Sequence, residues 1–198
     1  MDGRCDGALV WHHPKLLCSV MKKMETLPAT EHPYQSCPLL GFSIYSVMQV
    51  RLLRKLGDQF VQSANQLMSK EPERLFDGED HLDTYGQFWL WVLGTYEVTR
   101  TMKEARSCFS SGVSARIAAF NQRLSKVRMP FAKQQHRGKK SMVGGEPAVN
   151  TFDFNRRDLV FRIENADFYA KDLVREFDEL IDGIEAEDVI RPIHAAFP

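Results

Sequence analysis

Residues 82–96 read Leu82-Asp83-Thr84-Tyr85-Gly86-Gln87-Phe88-Trp89-Leu90-Trp91-Val92-Leu93-Gly94-Thr95-Tyr96. Leu82, Tyr85, Trp89, Val92, Leu93 and Tyr96 recur at helical steps, and Phe88, Leu90 and Trp91 widen the apolar surface around them. A helix apolar over that much of its girth belongs at the centre of a bundle. Asp80 is its candidate cap, after a break at Pro72 and Asp77-Gly78, and it runs to about Ala105. Trp91 lies off the main stripe. An exposed tryptophan there would mark a dimer interface, because aromatic side chains are enriched in interface cores.

Working outward, the chain also reads as helix upstream, from Phe42 to about Lys70. Phe42, Tyr45, Val47, Met48, Leu52, Leu56, Phe60, Ala64 and Leu67 recur at three- and four-residue steps, with Ser43 as a cap. Arg51, Arg54, Lys55, Asp58, Gln62 and Gln66 largely fill the outer face. Downstream, Ser110-Ser111-Gly112 breaks the chain and Ser114 is a cap candidate. A third helix then runs from Ala115 towards Gln135 through Ile117, Phe120, Leu124, Val127 and Phe131. Pro130 lies inside it, which predicts a kink near Lys126–Arg128.

Gly138 to Pro147 reads as a loop rich in Gly and Lys. The period then changes to two. Phe152 and Phe154 alternate, Asn155-Arg156-Arg157-Asp158 turns, and Leu159, Phe161 and Ile163 alternate again, a hairpin over about 151–163. Glu164 to Asp167 is a second turn. A last helix covers about 169–184 with Leu173, Phe177, Leu180 and Ile184 inward. The predicted fold is mainly α, an antiparallel up-down four-helix bundle with a small β-hairpin before the last helix. It occupies one domain, 39–198. Residues 1–38 hold Pro14, Pro28, Pro33 and Pro38 and keep no period, so they read as an irregular arm docked on the core or as an over-extended start ahead of Met21.

Composition narrows the function classes. No apolar run approaches the roughly 20 residues of a membrane span, and no signal-peptide pattern opens the chain. Cys5, Cys18, Cys37 and Cys108 form no C-x-x-C and read as free thiols, so the expected location is cytoplasmic. His12-His13 with Cys5 and Cys18 fits no zinc spacing, and no phosphate-binding glycine loop is present. No metal or cofactor is expected.

The net charge of zero hides an asymmetry. Ala105 to Gly145 holds nine Lys or Arg and not one Asp or Glu, whereas the chain after Gly145 has 13 acidic and six basic residues. The basic tract needs an anion, either a ligand or the acidic last helix with Asp172, Glu176, Asp178, Glu179 and Asp182. Lys126, Arg137, Lys139 and Lys140 suit phosphates and are nucleic-acid-binding candidates. Phe131 continues the core stripe and is expected to be buried rather than stacked on a base. Glu97 and Arg100, three apart, either pair at the surface or point Glu97 into a cleft against Arg128.

The third helix ends in Arg128-Met129-Pro130-Phe131-Ala132-Lys133. This run resembles the Arg-x(4–6)-His signature of the HEPN superfamily of helical bundles, often written Arg-Asn-Pro-x-Ala-His. Arg128 falls on the Arg, Pro130 on the Pro and Ala132 on the Ala. Met129 replaces the polar Asn, and Lys133 stands where the catalytic His would be. The resemblance implies a homodimer and, in an intact member, a ribonuclease whose Arg holds the scissile phosphate while His shuttles a proton. A free lysine, with a pKa near ~10.4, is a poor general base at neutral pH. His136 is the nearest alternative, at a spacing beyond the signature. The first expectation is a non-enzymatic HEPN-like bundle acting by binding, with Arg128, Lys133, Glu97 and Arg100 as an anion-binding group. The alternatives are a ribonuclease using Arg128 with Lys133 or His136, and a nucleic-acid-binding module without catalysis.

Overall fold

The computed structural model describes residues 36–70, 78–133, 135, 150–163 and 165–196. Among the described residues four long helices carry the fold, namely α1 (Ile44–Leu67), α2 (Glu79–Glu104), α3 (Ser111–Lys133) and α4 (Ala170–Asp182). The strands β1 (Asn150–Asp153), β2 (Asp158–Ile163) and β3 (Ala166–Tyr169) lie between α3 and α4. Short 3-10 turns at Pro38–Gly41, Arg106–Cys108, Ala186–Asp188 and Ile193–Ala195 complete it.

Local chemistry sets the helix ends. The Ser43 hydroxyl accepts from the Ser46 amide, as the capping pattern requires. Ser110, not Ser114, caps α3, taking the Val113 amide on its hydroxyl. α2 starts after Gly78 and carries Glu79 and Asp80 in its first turn, where carboxylates favour the positive end of the helix dipole.

The expected hairpin is a three-stranded antiparallel sheet in the order β1-β2-β3. Asp153 pairs with Asp158 across a four-residue turn, whose Asn155 and Arg156 amides donate to the Asp153 carboxylate. Arg157 takes a φ of 51° there, and Asn165 a φ of 66° between β2 and β3. Glu164 to Asp167 therefore is not only a turn, because Ala166 and Asp167 already pair with Ile163 and Arg162. Asparagine tolerates the left-handed region, which makes so tight a reversal available.

The core centres on Phe88. Its ring lies 4.9 Å from Phe60 of α1, 5.8 Å from Trp91, 6.0 Å from Phe131 of α3 and 5.1 Å from Phe161 of β2. Phe177 of α4 closes the other side, 6.0 Å from Trp91 and 6.1 Å from Phe120. The expected inward residues of α3 and α4 are all buried, Phe131 included.

Two helix faces differ from the sequence expectation. α1 buries Val47, Val50, Leu53, Gly57, Phe60, Ala64 and Leu67, and leaves Tyr45, Met48 and Leu52 in solvent at 74%, 54% and 66% exposure. The reason is Gly57. A Cβ there would lie 2.9 Å from Val174 and 3.2 Å from Trp91, so the helix presents its bare backbone to the core. α2 turns Phe88, Trp91, Val92 and Met102 inward and leaves Leu82 and Leu90 exposed. Trp91 is fully buried, which removes it as a dimer contact. Thr84, Thr95 and Thr99 share this inward face. Thr84 and Thr99 hydroxyls donate to carbonyls one turn back, at Asp80 and Thr95, and so hide their polarity inside the helix.

Candidate functional site

α3 runs through Pro130 to Lys133, although the proline leaves the Lys126 carbonyl without its usual helical donor. Just beyond it, the Trp89 indole donates to the Phe131 carbonyl at 3.2 Å and ties this last turn to α2.

Arg128 lies on the α2 flank of α3. Its guanidinium carbon sits 4.9 Å from the Tyr96 ring centre, a cation–π distance. Nη2 is 3.8 Å from Glu97 Oε1, and Nη1 donates to the Met129 sulfur at 3.5 Å. Nε is buried and makes no hydrogen bond among the described residues. Glu97 in turn holds Arg100, with Oε2 2.7 Å from Nη2 and 2.9 Å from Nε, and Arg100 also reaches Glu104 at 3.0 Å. The surface pair and the contact to Arg128 therefore coexist, with Glu97 exposed between two guanidiniums. A carboxylate in that place occupies the position an anionic ligand would need.

Lys133 does not join this group. Five residues beyond Arg128, it is turned about 140° around the helix at ~100° per residue. Its side chain is exposed, without the burial that general-base chemistry would demand of a lysine. Lys126 is also exposed, and seven residues before Lys133 it lies only about 20° away. These two cations share the outer face of α3. His136, Arg137, Lys139 and Lys140 lie outside the described residues.

Much of the basic tract meets the protein's own acids and carbonyls. Arg123 pairs with Glu176 at 3.2 Å and stacks 5.9 Å over Phe168. Arg116 donates to the Gly183 carbonyl at 2.9 Å and the Glu179 carbonyl at 3.3 Å, satisfying the end of α4. From α1, Arg54 reaches Asp178 and Asp182 at 3.3 and 2.5 Å. The acidic helix is thus neutralised from two sides.

A further polar centre gave no warning in the sequence. Asp158 opens β2 and is buried, yet its carboxylate accepts the Leu159 amide at 2.8 Å and the Lys171 amide at 3.1 and 3.2 Å. It serves as an N-terminal cap for α4 delivered from a distant strand. Burial pushes its pKa up to about 6, against the pull of those amides and of the Lys171 ammonium. Burial also lowers the pKa of Lys171, whose Nζ donates to Asn65 at 2.7 Å and to the Arg157 carbonyl. In the sequence, Asn155-Arg156-Arg157-Asp158 reads as an ordinary turn, and no spacing links it to Lys171.

Among the described residues no cluster of His, Cys, Asp and Glu is placed to hold a metal ion. No described helix is long and apolar enough to cross a membrane. Compared with known proteins, the chain matches no family model, no curated protein and no solved structure.

Proposed function

We propose that this chain is a non-enzymatic HEPN-like bundle that acts by binding, as a homodimer, through the outer face of α1. The observation that carries the reading is the apolar stripe of Ile44, Tyr45, Met48 and Leu52, each more than half exposed at helical spacing. Contiguous exposed apolar surface of this kind marks interaction sites. Arg54, two residues past Leu52, turns to α4, so the stripe lies on the side of α1 away from that helix. Pairing two copies of α1 would bury the same residues on both chains, as a twofold contact requires. Four side chains are fewer than the 20–30 residues a side of a standard interface. The pairing is therefore concentration-dependent.

The non-enzymatic part rests on the committed Arg128 and the separate, exposed Lys133. Light scattering over a concentration series tests the dimer. Wild type is expected to rise above the mass of one 22.8 kDa chain, and Leu52→Glu to stay at it. A wild type that never exceeds that mass rejects the dimer. RNA incubated with wild type and Arg128→Ala is expected to stay intact with both. Cleavage by wild type that the variant loses would establish the ribonuclease instead.

A second reading has its own support, since Lys126 and Lys133 line one exposed face. As a nucleic-acid-binding module the protein would hold RNA with an affinity that falls steeply with salt. A flat salt titration rejects it.

A further inference from the structure

We propose that the outer line of α2, namely Leu82, Gly86, Leu90 and Leu93, completes the pairing surface, and that the α1 stripe of each copy seats on the α2 line of a second copy around Gly86. This rests on the pairing proposed above and names the other half of its contact.

The first argument is position. Gly94 packs on Leu53 and Gly57 on Trp91, so α1 and α2 run side by side. α4 lies on one flank of α1, held by Arg54, and α3 on one flank of α2, held by the Trp89 indole. Leu52 and Leu56 each stand about 200° round α1 from Arg54, on the opposite flank. Leu56 and Leu90, one residue before the Gly57–Trp91 contact on each helix, join the two lines into one apolar face. Leu82 and Leu90 are 68% and 53% exposed, and Leu93 is half-buried.

The second argument is Gly86. It sits inside α2, where glycine costs about 1 kcal/mol against alanine. Among the described residues nothing lies within 4 Å of the place its Cβ would take, so the packing of the single chain gains nothing from its bareness. Between two exposed leucines it forms a notch that admits another chain closely.

The third argument is charge, and it selects the occupant. From Ile44 to Gly57 α1 carries no acid. Arg54 is engaged by α4, which leaves Arg51 and Lys55 exposed beside the stripe. From Leu82 to Tyr96 the one charged side chain is Asp83, also exposed. The two neighbouring lines are thus apolar and edged by opposite charge. A second copy, turned by half a turn so that α1 of each lies on α2 of the other, brings the cations to the acid on both sides at once. A stable dimer takes roughly 20–30 residues a side, which a face of two helices approaches and a single line does not.

The test uses the full chain with Tyr45 replaced by a photo-crosslinking phenylalanine analogue, as a mixture of isotope-labelled and unlabelled copies. Irradiation is expected to join position 45 of one copy to residues 82–90 of the other. Light scattering over a concentration series is expected to show pairing weakened about tenfold by Leu90→Glu and by Gly86→Ala. For Gly86→Ala the urea midpoint is expected to rise while pairing falls, a combination that a damaged fold does not give. If wild type pairs but either variant pairs as well, or the two-chain adduct falls elsewhere, the α2 line is rejected and the α1 pairing stands. If wild type never exceeds the mass of one chain, both are rejected.

Discussion

Asp158 shows what one buried carboxylate does to a pH profile. Its folded pKa, about 6, stands above the ordinary aspartate value of 3.8, so between those values the folded state holds more of the proton than the unfolded chain does. Stability from this group is therefore complete below pH ~4 and is lost as the pH rises through ~6, by about 3 kcal/mol at most. Glu176 and Asp178 are raised by burial too, so the wild-type profile alone does not isolate the effect. Asp167 and Asp188 are lowered by their hydrogen bonds and act below this window. The expected result is a stability difference between wild type and Asp158→Asn that shifts in the variant's favour from pH 4 to 6.5, measured by urea unfolding. A difference constant with pH would show that Asp158 stays charged throughout.

The helix crossings turn on two glycines. At Gly57 a methyl would meet Val174 at 2.9 Å, and at Gly94 it would meet Leu53 at 2.7 Å. Gly86, on the same helix as Gly94, has nothing within 4 Å of that position. Gly57→Ala and Gly94→Ala are expected to lose about 1–3 kcal/mol to overpacking, although alanine favours a helix. Gly86→Ala is expected to gain up to about 1 kcal/mol, because there the helix preference acts unopposed. Urea midpoints of the three variants check the contrast. Equal effects at all three would remove the close-packing account. The same residues explain what was readable beforehand. The existence, order and approximate ends of the four helices followed from period, caps and breaks. The inward faces of α3 and α4 followed too, since each has one clean stripe. On α1 and α2 the buried line runs through Gly57, Thr84, Thr95 and Thr99, which hydrophobic counting ignores. β3 was lost because its residues Ala166 to Tyr169 are half polar and only Asn165 signals the reversal. Of the candidate site, the Glu97–Arg100 pair was readable from helical spacing, whereas the approach of Glu97 to Arg128 was one of two alternatives, because spacing along α2 does not encode a contact with α3. The separation from Lys133 was obscured by expecting the proline to bend the helix there. Asp158 depends on a contact between strand and helix that no local pattern encodes.

At the scale of the molecule, one core joins every layer. Phe177 meets α2 and α3 through Trp91 and Phe120, and Phe88 carries the contact on to the sheet at Phe161. Phe177→Ala is expected to cost about 3–5 kcal/mol and to lower one shared transition rather than release α4 alone. Far-ultraviolet circular dichroism and tryptophan emission followed through the same urea series check this. Midpoints that separate would show that the sheet and last helix melt as their own unit. The tail adds a constraint of another kind. The Ser110 amide donates to the Asp188 carbonyl, the Ile190 amide to that of Cys108, and the Ile193 amide to that of Phe42. The carbonyl at the mouth of the first helix therefore waits for a donor made about 150 residues later. On the ribosome this end of the bundle stays unlaced until Ile193 has been made, and the nascent protein depends on its surroundings for that long.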